Sequence, residues 1–381
     1  MVQQTMEELK YKLTEESIVV YNKSLYRIEA LKDFGDVKKG DKGGYVENED
    51  NLSQSDECWV YDDAAVYDDA KVYDNAKIHD NAEVRNNAVV RNNAKVWMDA
   101  KVSGNAEVFD NAEICGKAEV FDNAEVFDNA EICGKAEVFD NAVICGKAEV
   151  FDNAKIYDNA EISDNAKVHG KAEVYGNAIV CDRAEVYDDA AVYGDAQVYG
   201  DARVYGDASV HGDARVCDHA RVYGDARVRD NAWVCGYAKV CDNAVVRDNA
   251  EISDNAEVSG NAEVSDNAKV YECAWIYDKV HVCDNAVVCD DAEVFGNARI
   301  CGDATIASSS DYIVFKNWWS SGRYFTWTRS NDMWKVGCFY GTGKQLIQKA
   351  YKDSKSSGEE YERIVRYVDS IKKKTAMIWN F

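Results

Sequence analysis

Residues 105–122 read NAEVFDNAEICGKAEVFD, and residues 123–140 repeat them without a change. Within this segment an Ala-x-Val or Ala-x-Ile unit returns at every sixth position, so each copy contains three hexads. Apolar residues two apart face the same side of a β-strand, and the residue between them faces the other side. The segment therefore predicts three short strands that together make one coil of a solenoid.

The hexad extends far beyond this duplicated segment. From Val60 to Ile306 every sixth residue is Val or Ile, at 42 positions without an insertion or deletion. Of the 41 positions from Ala64 to Ala304 that precede these residues by two, 40 are Ala and one is Val280. With three hexads per coil and strands about 4.8 Å apart, the repeat predicts about 14 coils and a triangular rod roughly 65 Å long.

Two residues of turn chemistry separate each strand from the next. The first is Asp, Gly or Asn in 39 of 41 hexads, and the second is Asn or Asp in 32. These residue types tolerate the left-handed backbone of a tight corner. The chain also contains no Pro, which an uninterrupted ladder of backbone hydrogen bonds would exclude because Pro lacks an N–H group. Both features predict an all-β solenoid.

These rules resemble those of the hexapeptide-repeat, left-handed parallel β-helix family, with VYDNAK at residues 72–77 as a direct match. The resemblance covers about 247 of the 381 residues. It implies the handedness of the coil, which hexad spacing alone does not determine. The segments DFGDV (33–37), GGYV (43–46) and CWVYD (58–62) are similar to a narrower subgroup of uncharacterised bacterial and phage proteins, some of which carry an acetyltransferase label.

The sequences that flank the repeat predict caps for the ends of the solenoid. Residues 1–45 predict an N-terminal β-hairpin cap. We place the β-helix at residues 46–306, because Val46, Leu52 and Cys58 keep the six-residue spacing in the phase of the Ala column. Residues 307–381 predict a small α+β module with strands at 312–315, 323–328 and 333–339, then helices at 343–353 and 359–372, the second with a capping box at 357–360.

The repeat and the C-terminal module differ in the sign of their net charge. The chain has 69 acidic and 44 basic residues, a net charge of -25; the repeat carries -26 and residues 307–381 carry +6. This acidity argues against direct nucleic-acid binding through a basic surface. The chain contains no apolar run long enough to cross a bilayer and no apolar leader, so we expect no membrane association and a cytoplasmic protein. The resemblance to the subgroup implies a bacterial or phage-encoded protein.

The C-terminal module holds the strongest candidate binding surface. It interleaves cations with aromatic rings, which could contact anions and stack on planar ligands. The candidate residues are Lys316, Trp318, Trp319, Arg323, Tyr324, Trp327 and Arg329. Alternation along residues 324–327 predicts one exposed face. The competing interpretation assigns most of these rings to the core of the module.

Histidines and cysteines are weaker candidates. The family resemblance implies acyltransferase trimers with a catalytic His at the subunit seam, but no loop that could close over an acyl donor interrupts this repeat. We therefore expect structural roles for His79, His169, His211, His219 and His281. Cysteine pairs separated by one coil, such as Cys115 and Cys133, predict a stacked surface ladder; a disulfide, metal or redox role stays open. We expect no catalytic residue, no metal site and no cofactor.

The sequence predicts a non-enzymatic, elongated acidic scaffold that presents a C-terminal recognition module to a protein partner. The first alternative is an acyl-CoA-dependent acyltransferase of the hexapeptide-repeat type, a trimer with sites between subunits. The second is a DNA-mimic inhibitor of a nucleic-acid enzyme, because carboxylates at regular spacing can imitate the charge of a duplex. The oligomeric state and the partner stay open.

Overall fold

The structure is a computed structural model that describes residues 9–317 and 322–378. It divides into two compact units, residues 1–225 and 226–381. Both contain parallel β-solenoid coils, about 15 turns in all, where the hexad predicts about 14. No helix in the described ranges is long and apolar enough to cross a membrane.

The first unit begins with the predicted hairpin. The strands Tyr11–Val20 and Lys23–Ala30 pair antiparallel around Tyr21 and Asn22, which both have positive φ. The strand Lys42–Val46 continues the sheet antiparallel to the second strand of the hairpin and pairs parallel with the coil strand Ala65–Val66. One strand therefore joins the antiparallel cap to the parallel coils.

The coils of the first unit have three faces, in which each strand pairs in parallel with the equivalent strand of the next coil. The first face contains Ala65–Val66, Glu83–Val84, Lys101–Val102, Glu119–Val120, Glu137–Val138, Lys155–Ile156, Glu173–Val174, Ala191–Gly194 and Ser209–Gly212. The second contains Lys71–Val72, Val89–Val90, Glu107–Val108, Glu125–Val126, Val143–Ile144, Glu161–Ile162, Ile179–Val180, Gln197–Val198 and Arg215–Val216. The third contains Trp59–Val60, Lys77–Ile78, Lys95–Val96, Glu113–Ile114, Glu131–Ile132, Glu149–Val150, Lys167–Val168, Glu185–Val186, Arg203–Val204 and Arg221–Val222.

The second unit has coils of the same kind, again with three faces. One face contains Arg227–Val228, Val245–Val246, Glu263–Val264, His281–Val282 and Arg299–Ile300. Another contains Trp233–Val234, Glu251–Ile252, Lys269–Val270, Val287–Val288 and Thr305–Ile306. The last contains Lys239–Val240, Glu257–Val258, Trp275–Ile276 and Glu293–Val294.

The two apolar columns of the hexad form the core of the coils. All 42 Val or Ile positions and all 41 positions of the Ala column are buried. At the corners, the first turn residue of all 41 hexads has positive φ, including the two that are not Asp, Gly or Asn, Met98 and Glu272. The prediction of left-handed corners is therefore confirmed.

The first coil differs from the predicted register. Val46 pairs with Val66 and Leu52 with Val72, so both occupy the Val column and not the Ala column. Two extra residues lie between Leu52 and Val60. The buried Lys10 fills this wider loop, where its Nζ donates to the carbonyl oxygen of Cys58 at 2.9 Å. An N-terminal side chain thus satisfies a backbone acceptor that the regular hexad would not leave open.

The C-terminal module has one more strand than predicted. An antiparallel sheet contains the strands Tyr312–Lys316, Tyr324–Thr328, Met333–Val336 and Phe339–Thr342, and the helices Gly343–Asp353 and Lys355–Ile378 follow. Gly337, with φ 56°, turns the chain where the sequence predicted a single strand. The second helix starts earlier than predicted, because Ser354 Oγ accepts the hydrogen bond from the Ser357 N–H at 3.0 Å. Gly358 lies inside this helix, packed against Tyr351.

Candidate functional site

The C-terminal sheet closes the last coil of the second unit. In inner coils a backbone N–H donates to a carbonyl of the next coil, as from Glu257 to Ala274 at 2.9 Å. In the last coil side-chain hydroxyls replace these carbonyls: the N–H of Arg299 donates to Thr326 Oγ1 at 2.9 Å, and that of Thr305 to Ser330 Oγ at 2.7 Å. The module therefore satisfies donors that an open end would leave unpaired.

The strand Tyr324–Thr328 is covered on both faces, unlike the predicted single exposed face. Thr326 points to the last coil, while Phe325 and Trp327 belong to the core formed with the helices. Trp327 is only 4% exposed, and its Nε1 donates to Asp332 Oδ1 at 2.8 Å. Trp327 is thus a core residue, in line with the competing interpretation.

The other candidate binding residues lie at the edges of the module. Lys316 pairs with Tyr324 across the sheet, and its Nζ lies 5.5 Å from the centre of that ring. Arg323 is exposed beside Tyr324. Arg329 is exposed, with its guanidinium 3.6 Å from the Asp311 carboxylate. Trp318 and Trp319 lie outside the described residues.

Two of these residues share a cleft with the last coils. We call it the cationic cleft; its volume is about 330 Å³ and its lining residues are Lys279, His281, Asn297, Arg299, Arg323, Tyr324 and Gly337. Three of them are permanent cations, and none of the described residues that line it is acidic. This local surplus of positive charge contrasts with the net charge of -25 of the whole chain.

The coil side of the cationic cleft departs from the rules of the hexad. Lys279 occupies a turn position that is Asn or Asp in most hexads, and it precedes Val280, the one residue of its column that is not Ala. His281 is the only His between the two apolar columns, and it pairs with Arg299 of the next coil. These departures from the hexad are visible in the sequence. Only the structure shows that Lys279 and His281 lie beside Arg323 and Tyr324.

The cations of the cleft differ in their partners from some other cations of the second unit. Lys239 and Lys269 form ion pairs across coils, with Glu257 at 3.5 Å and Glu251 at 2.7 Å. Lys279 and Arg299 have no such carboxylate partner among the residues that the structure describes. His281 differs again, because its Nδ1 lies 3.0 Å from Glu263 Oε2. Burial lowers the pKa of His281, although Glu263 opposes this effect.

Three of the other histidines belong to stacks of rings along the coils. The ring of His79 stacks on Tyr61 at 4.0 Å, and that of His211 on Tyr193 at 4.6 Å. His169 lies between Phe151 and Tyr187, at 4.6 and 5.1 Å. His219 lies at a corner, with Nδ1 3.5 Å from an Asp201 oxygen. Stacking and ion pairing account for these residues without a substrate.

Two cysteine pairs differ from the expected unbonded ladder. Cys115 is disulfide-bonded to Cys133 and Cys283 to Cys301, with Cα atoms 4.6 and 4.8 Å apart. Stacked parallel strands bring equivalent residues of neighbouring coils to the separation that a disulfide spans. Glu131 lies close enough to the first pair to complete a metal-ligand set, but the sulfurs are already bonded to each other.

The corner aspartates have a structural function of their own. The Asp158 carboxylate accepts the backbone N–H of Gly176, the equivalent corner residue of the next coil, at 3.1 Å. Among the residues that the structure describes, at least 19 corners have the same contact, 18 with Asp and one with Glu272. Much of the acidity of the repeat therefore follows from corner geometry and requires no bound cation.

The parallel pairing of strands between coils and the six-residue repeat of the sequence together define the chain as a β-solenoid repeat protein. A family model described as YdcK Beta solenoid repeat matches residues 196–212, 214–230 and 220–236. The chain is similar to that repeat in these segments, which lie within the coils. A comparison with the curated proteins finds no match.

Proposed function

We propose that the chain is a non-enzymatic binding protein, a β-solenoid scaffold that presents a recognition surface at its C-terminal module to a protein partner. The observation that carries this proposal is the cationic cleft in an otherwise acidic chain. Charge complementarity would direct an acidic part of the partner to the cleft, while the acidic coils repel other anionic surfaces.

The exposed residues of the module supply the rim of this surface. Lys316 and Arg329 are exposed, and Arg323 and Tyr324 extend from the rim into the cleft. Tyr324 adds a half-buried ring to the cations, a combination that is common where binding energy is concentrated. Lys316 and Tyr324 lie on paired strands of the sheet, and Thr326 joins the second of these strands to the last coil, so the backbone of this surface is held in place.

Partner retention tests this proposal. The full chain is immobilised, and proteins retained from a bacterial lysate are compared with those retained by the triple variant Lys316→Ala, Arg323→Ala, Arg329→Ala. The control replaces three exposed cations of the second helix, Arg363, Lys373 and Lys374, by Ala. We expect a specific partner to be retained by wild type and control and lost by the first variant. Equal retention by all three proteins would contradict the proposal.

The acyltransferase alternative keeps one supporting observation. His281 lines a cleft, and the Glu263 carboxylate at its Nδ1 would orient the ring as a general base. The burial that lowers the pKa of His281 favours the neutral form that such a base requires. Turnover of acyl-CoA by a trimer, abolished in His281→Ala and kept in His169→Ala, would establish this alternative; a non-trimeric protein without turnover would exclude it.

A further inference from the structure

We propose that the cationic cleft binds a phosphate monoester, carried either by a small molecule or by a phosphorylated side chain of a protein. The inference deepens the proposed function and rests on it for placing recognition at the C-terminal module. It concerns the chemistry of the ligand, and it can be tested separately from the proposed function.

The first argument is uncompensated charge. Lys279 and Arg299 project from adjacent coils and have no carboxylate partner among the described residues, while Arg323 approaches from the C-terminal module. Like charges that share a cleft repel one another, and a bound anion would relieve that repulsion. Some other coil cations pair with carboxylates across neighbouring strands, as Lys269 does with Glu251. A ligand would supply the negative charge that the cleft lacks.

The second argument is that the backbones of the two coil cations are held in place. Arg299 is fixed at its backbone by the Thr326 hydroxyl and by strand pairing with His281. Lys279 stands at a corner whose N–H donates to the Gly296 carbonyl at 2.9 Å. The fixed backbones determine the positions from which these two side chains reach into the cleft.

The third argument selects phosphate among anions. A phosphate monoester carries a charge of about -1.5 to -2 and three acceptor oxygens, which suits three cations better than a single carboxylate does. Guanidinium groups also match phosphate oxygens in paired hydrogen bonds. A long polyanion would extend past the cleft to the acidic coils, within a Debye length of about 8 Å, and be repelled. The cleft therefore favours one phosphate over a nucleic acid.

Calorimetric titration of the full chain tests the proposal with two ligands. Phenyl phosphate represents a free phosphate monoester, and a short phosphotyrosine peptide represents a phosphorylated protein; phenol and the unphosphorylated peptide are their controls. We expect at least one phosphorylated ligand to bind and its control not to bind. Binding of the phosphotyrosine peptide alone would indicate that the site recognises a phosphorylated protein. Equal binding of both ligands would indicate that the site recognises the phosphate group itself.

Variants locate the binding. We expect Arg299→Gln and Lys279→Gln each to weaken binding by at least about tenfold. Arg363→Gln, an exposed arginine of the second helix, should leave binding unchanged. Failure of both ligands to bind, unchanged affinity in the two cleft variants, or tighter binding of an oligonucleotide would overturn the proposal. If the chain binds the phosphorylated ligands but retains no protein from the lysate, the proposed function is contradicted and the phosphate site is supported. If it retains a protein but binds neither phosphorylated ligand, only the phosphate site is contradicted.

Discussion

A corner aspartate combines two properties that few residues share. Asp158 adopts a left-handed conformation, with φ 60°, and its carboxylate accepts the N–H of Gly176 in the next coil. Gly can adopt this backbone but offers no acceptor, and Ala offers neither advantage. This explains why Asp dominates the first turn position and why Gly is the common substitute.

Substitutions at Asp158 can separate the two properties. We expect Asp158→Asn to stay within about 0.5 kcal/mol of wild type, because Asn tolerates the backbone and keeps an acceptor oxygen. Asp158→Gly should lose a hydrogen bond of about 1 kcal/mol, and Asp158→Ala should lose about 1–2 kcal/mol more through backbone strain. Hydrogen exchange of the Gly176 amide measures the local effect. Equal exchange in the Gly and Ala variants would show that strain is not a factor.

The N-terminal cap contains a carboxylate whose ionisation contributes to stability. Asp36 accepts hydrogen bonds from Lys77 Nζ at 2.9 Å and Tyr61 Oη at 2.7 Å, which lower its pKa to about 2. Because the folded pKa is below the unfolded value of about 3.9, the contribution is complete above about pH 4 and lost as the pH falls toward 2.

This difference predicts the pH dependence of an Asp36 variant. Asp36→Asn should lower the unfolding free energy at pH 6, by less than about 1 kcal/mol because the side chain is 60% exposed. The gap to wild type should narrow between about pH 4 and pH 2. Urea unfolding at several pH values measures it, with Asp69→Asn as an exposed control. A gap that is constant with pH would contradict the assignment.

At the scale of elements, the coils could be predicted because each hexad contains its own strand, corner and core residues. The C-terminal module could be predicted only in part. Alternation along residues 324–327 suggested an exposed face, but the last coil covers Thr326 while the helices cover Trp327. Such covering depends on packing between distant segments. The cationic cleft escaped prediction for the same reason, since its cations come from three separate segments.

The periodic core predicts a strong difference between the inward and the outward positions of the coil strands. Val150 is fully buried and pairs with Ile132 and Val168, so Val150→Asp should place an unpaired charge in the core. We expect a loss of more than about 3 kcal/mol and local unfolding of adjacent coils. Val143→Asp, at a half-buried outward position, is the matched control. Circular dichroism and hydrogen exchange measure the effect; similar losses in both variants would contradict the predicted orientation.

The hydroxyl cap of the last coil gives a second prediction at this scale. Thr326→Val should leave the Arg299 N–H without its acceptor at a cost of about 1–3 kcal/mol, whereas Thr326→Ser keeps the hydroxyl. Exchange of the Arg299 amide should accelerate in the Val variant and change little in the Ser variant. Slow exchange in both variants would mean that another group satisfies this donor.

At the scale of the whole molecule, the C-terminal module acts as a cap as well as a candidate recognition surface, and deletion separates the two roles. Without residues 307–381, the N–H groups of Arg299 and Thr305 lose their hydroxyl acceptors, and an open parallel edge can pair with another chain. We expect the truncated chain to self-associate with rising concentration in sedimentation velocity, while the full chain does not. Thr305→Pro in the truncated chain removes one edge donor and should reduce the association. A truncated chain that associates no more than the full chain would show that the module is dispensable as a cap, which would leave recognition as its proposed role.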